Sequence, residues 1–67
     1  MEIKLNKKIY PLKAVKKSIK VYSKLADFKI EQSKDYLLIQ IQNIKAHSRE
    51  KFKDEFLNYV LSVIKHD

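Results

Sequence analysis

The spacing of apolar residues in this chain switches from every second position to every third or fourth and back, and that switching dictates the order of its elements. Ile3 and Leu5 alternate with Glu2 and Lys4. Successive strand side chains point to opposite sides, so residues 2–5 suit a short strand with one buried face. The polar turn NKKIYP at 6–11 follows, and Pro11 is pre-set for a first helical turn, where its missing N–H is no loss. At about 100° per residue, Leu12, Val15, Ile19, Tyr22 and Ala26 share one side, widened by Ala14, Val21 and Leu25. The spacing predicts a helix over 11–25.

Ala26, Phe28 and Ile30 alternate with Asp27, Lys29 and Glu31, a second half-buried strand over 26–31. QSKD at 32–35 has turn composition, and YLLIQIQN at 36–43 is the most β-prone segment, with Leu37, Ile39 and Ile41 facing one way. Tyr36, Leu38, Gln40 and Gln42 face the other. Two such runs joined by a short polar link read as a hairpin. After IKAH, Ser48 suits an N-cap and Glu50 puts an acid in the first turn, where the helix dipole favours it. The last helix, over 49–65, buries Phe52, Phe56, Tyr59, Val60, Val63 and Ile64, and Leu57 and Leu61 carry its apolar arc past half the circumference.

The order β-α-β-β-α implies an α+β fold. A right-handed βαβ crossover makes the first two strands parallel, so the third can pair antiparallel with both if it lies between them. The expected architecture is a three-stranded sheet of order 1-3-2 with both helices on one face, a truncated ferredoxin-like fold. Its uncovered face would carry Tyr36 and Leu38, with Glu2, Lys4, Lys29 and Glu31 at the margins.

At 67 residues the chain is one small domain. It has no cysteine, so neither disulfides nor thiolate metal sites can reinforce it, and an intracellular, cytoplasmic location is the default. MEIKLNKK has charge where a signal peptide needs apolar residues, and the longest apolar run, Tyr36 to Ile39, is far too short to span a bilayer. A soluble protein is expected. The complete lack of glycine removes the phosphate-binding loops that depend on it, which argues against a nucleotide-cofactor enzyme.

The formal charge of +7 is concentrated at the front: residues 1–25 hold eight lysines against Glu2, whereas residues 26–67 hold six lysines and Arg49 against seven acids. Lys13, Lys16, Lys17, Lys20 and Lys24 fall in one arc of the first helix, opposite its apolar side. Such a face can meet phosphates, anionic lipid or an acidic partner, or it can serve only as a solvated surface. The arc has no arginine, and Tyr36 alone is a poor stacking platform, so base-specific nucleic-acid recognition is disfavoured. His47 and Ser48 are adjacent, which suits a loop and a cap better than a base and a nucleophile. His66 is far from His47 and near the chain end, so no metal site is expected, and Asp54 and Glu55 splay apart on their helix. No catalytic residue and no cofactor is assigned.

Two segments, LNKKIYPLKAVKKSIKVYS at 5–23 and EFLNYVLSVIK at 55–65, resemble the HxsD family, the small component of His-Xaa-Ser radical-SAM peptide maturation systems. LNKKIYPLKAVKKSIKVYS at 5–23 is similar to that family's opening, in which a short strand runs into a Tyr-Pro-Leu turn and a helix; the matching positions are Leu5, Tyr10, Pro11, Leu12, Ala14 and Val15. EFLNYVLSVIK at 55–65 resembles its closing helix through Phe56, Leu57 and Asn58. The resemblance implies an accessory protein beside a radical-SAM maturase, helping to hold the precursor peptide, with no chemistry of its own. Asn58, the polar member of the closing motif, is expected to make a buried hydrogen bond to a loop.

Open sheet edges and the Leu57/Leu61 arc both favour a binding module over an enzyme. The leading expectation is a non-catalytic adaptor for a peptide or protein partner. The alternative is a small basic nucleic-acid binder that uses the lysine face, and a homodimer is a further candidate assembly.

Overall fold

The computed structural model describes residues 1–45 and 47–66, with His66 by its backbone alone. The elements are β1 (Glu2–Asn6), α1 (Leu12–Tyr22), β2 (Asp27–Gln32), β3 (Tyr36–Gln42) and α2 (Arg49–His66). The sheet has the order β1-β3-β2, with β3 antiparallel to both neighbours. This is the α+β architecture expected from the spacing. Ile3, Leu5, Leu37, Ile39 and Ile41 are buried on the sheet's inner face. Against them the helices bury Val15, Phe52, Phe56 and Val60.

Aromatic rings hold the helices together over β2. Tyr22 of α1 meets Phe52, Phe56 and Tyr59 of α2 edge-on, with ring centroids 5.9, 5.7 and 5.5 Å away. Phe28 of β2 lies tilted against Phe52 and Phe56 at 6.1 and 5.3 Å. Edge-on and offset contacts of this kind match the positive rim of one ring to the negative face of another. They also explain why both helices sit on the Phe28 side of the sheet.

Without glycine, the chain makes its turns by other means. The loop between β2 and β3 is Ser33, Lys34 and Asp35, and none of its backbone takes the positive φ that tight hairpin turns usually require. Ser33 closes it instead: its N–H donates to the Tyr36 carbonyl at 3.0 Å, and its hydroxyl accepts the Tyr36 N–H at 3.2 Å. At the end of β3, Asn43 adopts φ 54°, a conformation that asparagine tolerates better than most residues. Its side-chain amide donates to the Asp27 carboxylate at 2.7 Å, tying the exit of β3 to the start of β2.

The first helix differs from its sequence expectation in length and in facing. It ends at Tyr22, three residues short of the predicted 25, because Ser23 donates its hydroxyl to the Lys20 carbonyl and the Leu25 N–H turns back to the Tyr22 carbonyl. The Leu25 carbonyl in turn accepts the Lys45 N–H at 2.8 Å, pinning this turn to the loop after β3. Ala26 is therefore buried in a turn, ahead of β2. The buried stripe of α1 centres on Ala14, Val15 and Ser18, so Val21 and Leu25, predicted to widen it, are 54% and 43% exposed. Ser18 is tolerated in the core because its hydroxyl donates to the Ala14 carbonyl one turn back, at 2.8 Å.

Ser48 caps α2 as its sequence position predicts, accepting the Lys51 N–H on its hydroxyl at 3.3 Å. Replacing Ser48 with alanine leaves that donor without its side-chain partner and should lower stability by about 1 kcal/mol in urea unfolding. No change at all would mean that water caps the helix equally well.

Candidate functional site

The predicted lysine face divides between two elements. Lys13, Lys16, Lys17 and Lys20 are exposed on α1, whereas Lys24, assigned to the same helix by spacing, lies exposed in the turn that follows it. The face is thus a helical row with one residue beyond its end.

The residues of the two motif segments have several fates. Tyr10 is half-buried against the core, and Pro11 stands exposed just before α1 with φ −60° and ψ 141°. Phe56 is fully enclosed and presents no surface to a partner. Leu57 packs partly against the core, and Leu61 is 43% exposed. Asn58 corrects the expectation of a buried hydrogen bond, for it is exposed. Two residues past Phe56, it is turned by about 200° from the core-facing direction.

His47 is exposed, Ser48 is occupied as a cap, and the side chain of His66 lies outside the described residues. Among the described residues, no group of three or more His, Cys, Asp or Glu side chains converges. None of the helices among them is long and apolar enough to cross a membrane.

Tyr22 is the titratable group whose environment stands out. Burial pushes its phenol above the ordinary value of 10.0, and Glu55 and Tyr59 add to the rise by disfavouring a nearby negative charge. Below pH 10 both folded and unfolded chains hold this proton, so it does not affect stability. Above that pH the unfolded chain ionises first, and stability falls with rising pH. Tyr22→Phe should flatten this alkaline decline in denaturation curves, and an unchanged slope would assign the decline to other groups.

The uncovered face of the sheet offers a shaped surface. A depression of about 390 Å³ is lined by Glu2, Lys4, Glu31, Gln32, Ser33, Tyr36 and Leu38. The Lys4 ammonium lies 4.2 Å above the centre of the Tyr36 ring, close enough for cation–π attraction. Lys4 and Glu31 flank Leu38 in one cross-strand row, and Glu2 and Lys29 flank Gln40 in the next.

Beside this depression runs an open backbone edge. Met1 and Ile41 exchange both main-chain hydrogen bonds, at 2.9 and 2.7 Å. Bonded and non-bonded pairs alternate along an antiparallel ladder, so Ile3 and Leu5 likewise bond to β3. The N–H and C=O groups of Glu2 and Lys4 then point away from it. At the opposite edge the outward groups belong to Phe28, Ile30 and Gln32, where the Phe28 side chain is held in the aromatic cluster. The sequence shows alternation but not this phase, which depends on how β1 registers against β3.

In comparisons with protein-family models, with curated proteins and with solved structures, no match to this chain is found.

Proposed function

We propose that this protein is a non-catalytic adaptor that docks an extended segment of a peptide or protein partner along the edge of β1. The observation that carries this reading is the outward-facing backbone of Glu2 and Lys4 lying beside the depression on the uncovered sheet face. An added strand would gain main-chain hydrogen bonds from the edge. Side chains on one of its faces would lie beside Glu2 and Lys4, at the rim of the depression, which is how strand addition combines affinity with selectivity. The resemblance of residues 5–23 and 55–65 to the HxsD family makes a radical-SAM maturase or its precursor peptide the partner of choice.

The lysine row supports a second reading, a small basic protein that binds nucleic acid, because Lys13, Lys16 and Lys20 are all exposed on one helix. One titration separates the two. Amide shifts of the protein are followed as a synthetic His-Xaa-Ser repeat peptide is added, and separately as a random oligonucleotide is added. The adaptor reading expects the peptide to move the amides of Glu2 and Lys4. Peptide-insensitive β1 amides together with oligonucleotide shifts along α1 would transfer the function to the lysine row. Its affinity should then fall with salt at a slope of roughly −0.7 to −0.9 per phosphate contacted.

A further inference from the structure

The open edge of β1 is complementary to itself. Its outward-facing backbone groups belong to even-numbered residues, so an antiparallel strand can bond to it only by setting its own outward-facing residues opposite Glu2 and Lys4. Both side chains lie on the uncovered face, and opposite charges are favoured directly across a ladder. The incoming strand must therefore present an acid opposite Lys4, an apolar residue opposite Ile3 on the buried face, and a base opposite Glu2. Read along its own direction, that strand is acid, apolar, base. Glu2, Ile3 and Lys4 are that sequence.

We infer that β1 pairs antiparallel with β1 of a second copy of this chain, about a two-fold axis at Ile3, with Glu2 of each copy opposite Lys4 of the other. This deepens the edge-docking reading above and rests on it. The pairing makes one continuous six-stranded sheet, three strands from each copy. It fills the position beside β1 that a fourth strand takes in a complete ferredoxin-like sheet. Neighbouring registers are worse: an axis at Glu2 sets glutamate against glutamate, and an axis at Lys4 sets lysine against lysine. On the buried side the chosen register puts Ile3 beside its symmetry mate and Met1 beside Leu5, apolar against apolar. The formal charge of +7 on each copy opposes association. That repulsion is diffuse and is screened beyond about 8 Å at physiological salt, whereas the Glu2–Lys4 pairs are in direct contact. A second copy and a partner peptide would compete for the same edge, so self-pairing would also keep it covered until a partner displaced it.

Sedimentation of the full chain at physiological salt, over a concentration series up to about 1 mM, tests the pairing. The wild type should show a monomer–dimer equilibrium. Glu2→Lys and Lys4→Glu, made separately, each set like charges opposite one another twice per dimer and should weaken association about tenfold or more. Both residues are exposed, so the fold should survive, and circular dichroism checks that it does. Mixing the two variants restores an opposite charge at every facing pair, and the mixture should dimerise where neither variant does alone. A wild type that stays monomeric at the top of the series overturns the pairing, as does a dimer indifferent to both reversals. If that monomer still binds the His-Xaa-Ser peptide through Glu2 and Lys4, self-pairing falls while the adaptor reading stands.

Discussion

Phe56→Ala should lower the unfolding free energy by about 3–5 kcal/mol, the range for emptying an aromatic site in a packed core. Phe56 is completely enclosed, and its ring stands 5.7 Å from Tyr22 and 5.3 Å from Phe28, so one truncation loosens contacts from α1, α2 and β2 together. A chain of 67 residues has a total stability of only about 3–10 kcal/mol at the usual increment per residue. The variant should therefore lose a large share of its stability, with its urea midpoint far below that of the wild type. Leu61→Ala, on the same helix but 43% exposed, is the matched control and should shift the curve little. A loss below about 1 kcal/mol at Phe56 would show that the three elements do not share one core.

The second large effect is expected from proline at alternate positions of β1. Leu5 directs its N–H at β3, so Leu5→Pro removes a ladder bond, strands the Leu37 carbonyl and empties a buried site. The lost burial is worth about 2–5 kcal/mol and the orphaned carbonyl about 1–3 more, enough to unfold a domain of this size. Lys4 directs its N–H at solvent, so Lys4→Pro removes no internal bond, and a strand edge whose N–H faces water accommodates proline. That variant should keep its fold and lose binding to any strand-adding partner by about tenfold or more, since a main-chain donor and the Lys4 charge vanish together. Urea unfolding and the peptide titration read the two outcomes. If Lys4→Pro unfolds and Leu5→Pro does not, the hydrogen-bond phase of β1 is the reverse of the one described here, and the docking edge would be built from other residues.

Much of the molecule is legible in its residues one segment at a time. Ile3 and Leu5 alternate with Glu2 and Lys4, Leu37, Ile39 and Ile41 alternate with Tyr36, Leu38, Gln40 and Gln42, and all five are buried on one face as alternation requires. Phe52, Phe56, Val60 and Val63 recur at helical spacing and form the inner stripe of α2. Ser48 stands where a cap is needed and makes the bond. A right-handed crossover makes β1 and β2 parallel, and β3, the most apolar strand, takes the place between them, where it pairs antiparallel with both. Each of these depends on a residue and its near neighbours in the chain, which is the range over which periodicity and capping operate.

Other features were set by contacts between distant segments. Val21 and Leu25 are apolar and lie near the predicted stripe, yet they face water because Tyr22 docks against α2 and turns Ser18 toward the core. The helix stops at Tyr22 because Ser23 and Leu25 find carbonyl partners within the turn and Lys45 ties that turn down from the far side of the hairpin. Asn58 falls on the solvent side of α2 because the opposite side is claimed by Phe56. The same division governs the proposed site. Alternation along residues 2–5 determines that Glu2 and Lys4 share a face, but only the pairing of Met1 with Ile41 decides that their backbone groups, and not those of Ile3 and Leu5, point outward. Periodicity specifies which side chains are alike, whereas hydrogen-bond phase is a property of two strands in register, and no single strand carries it.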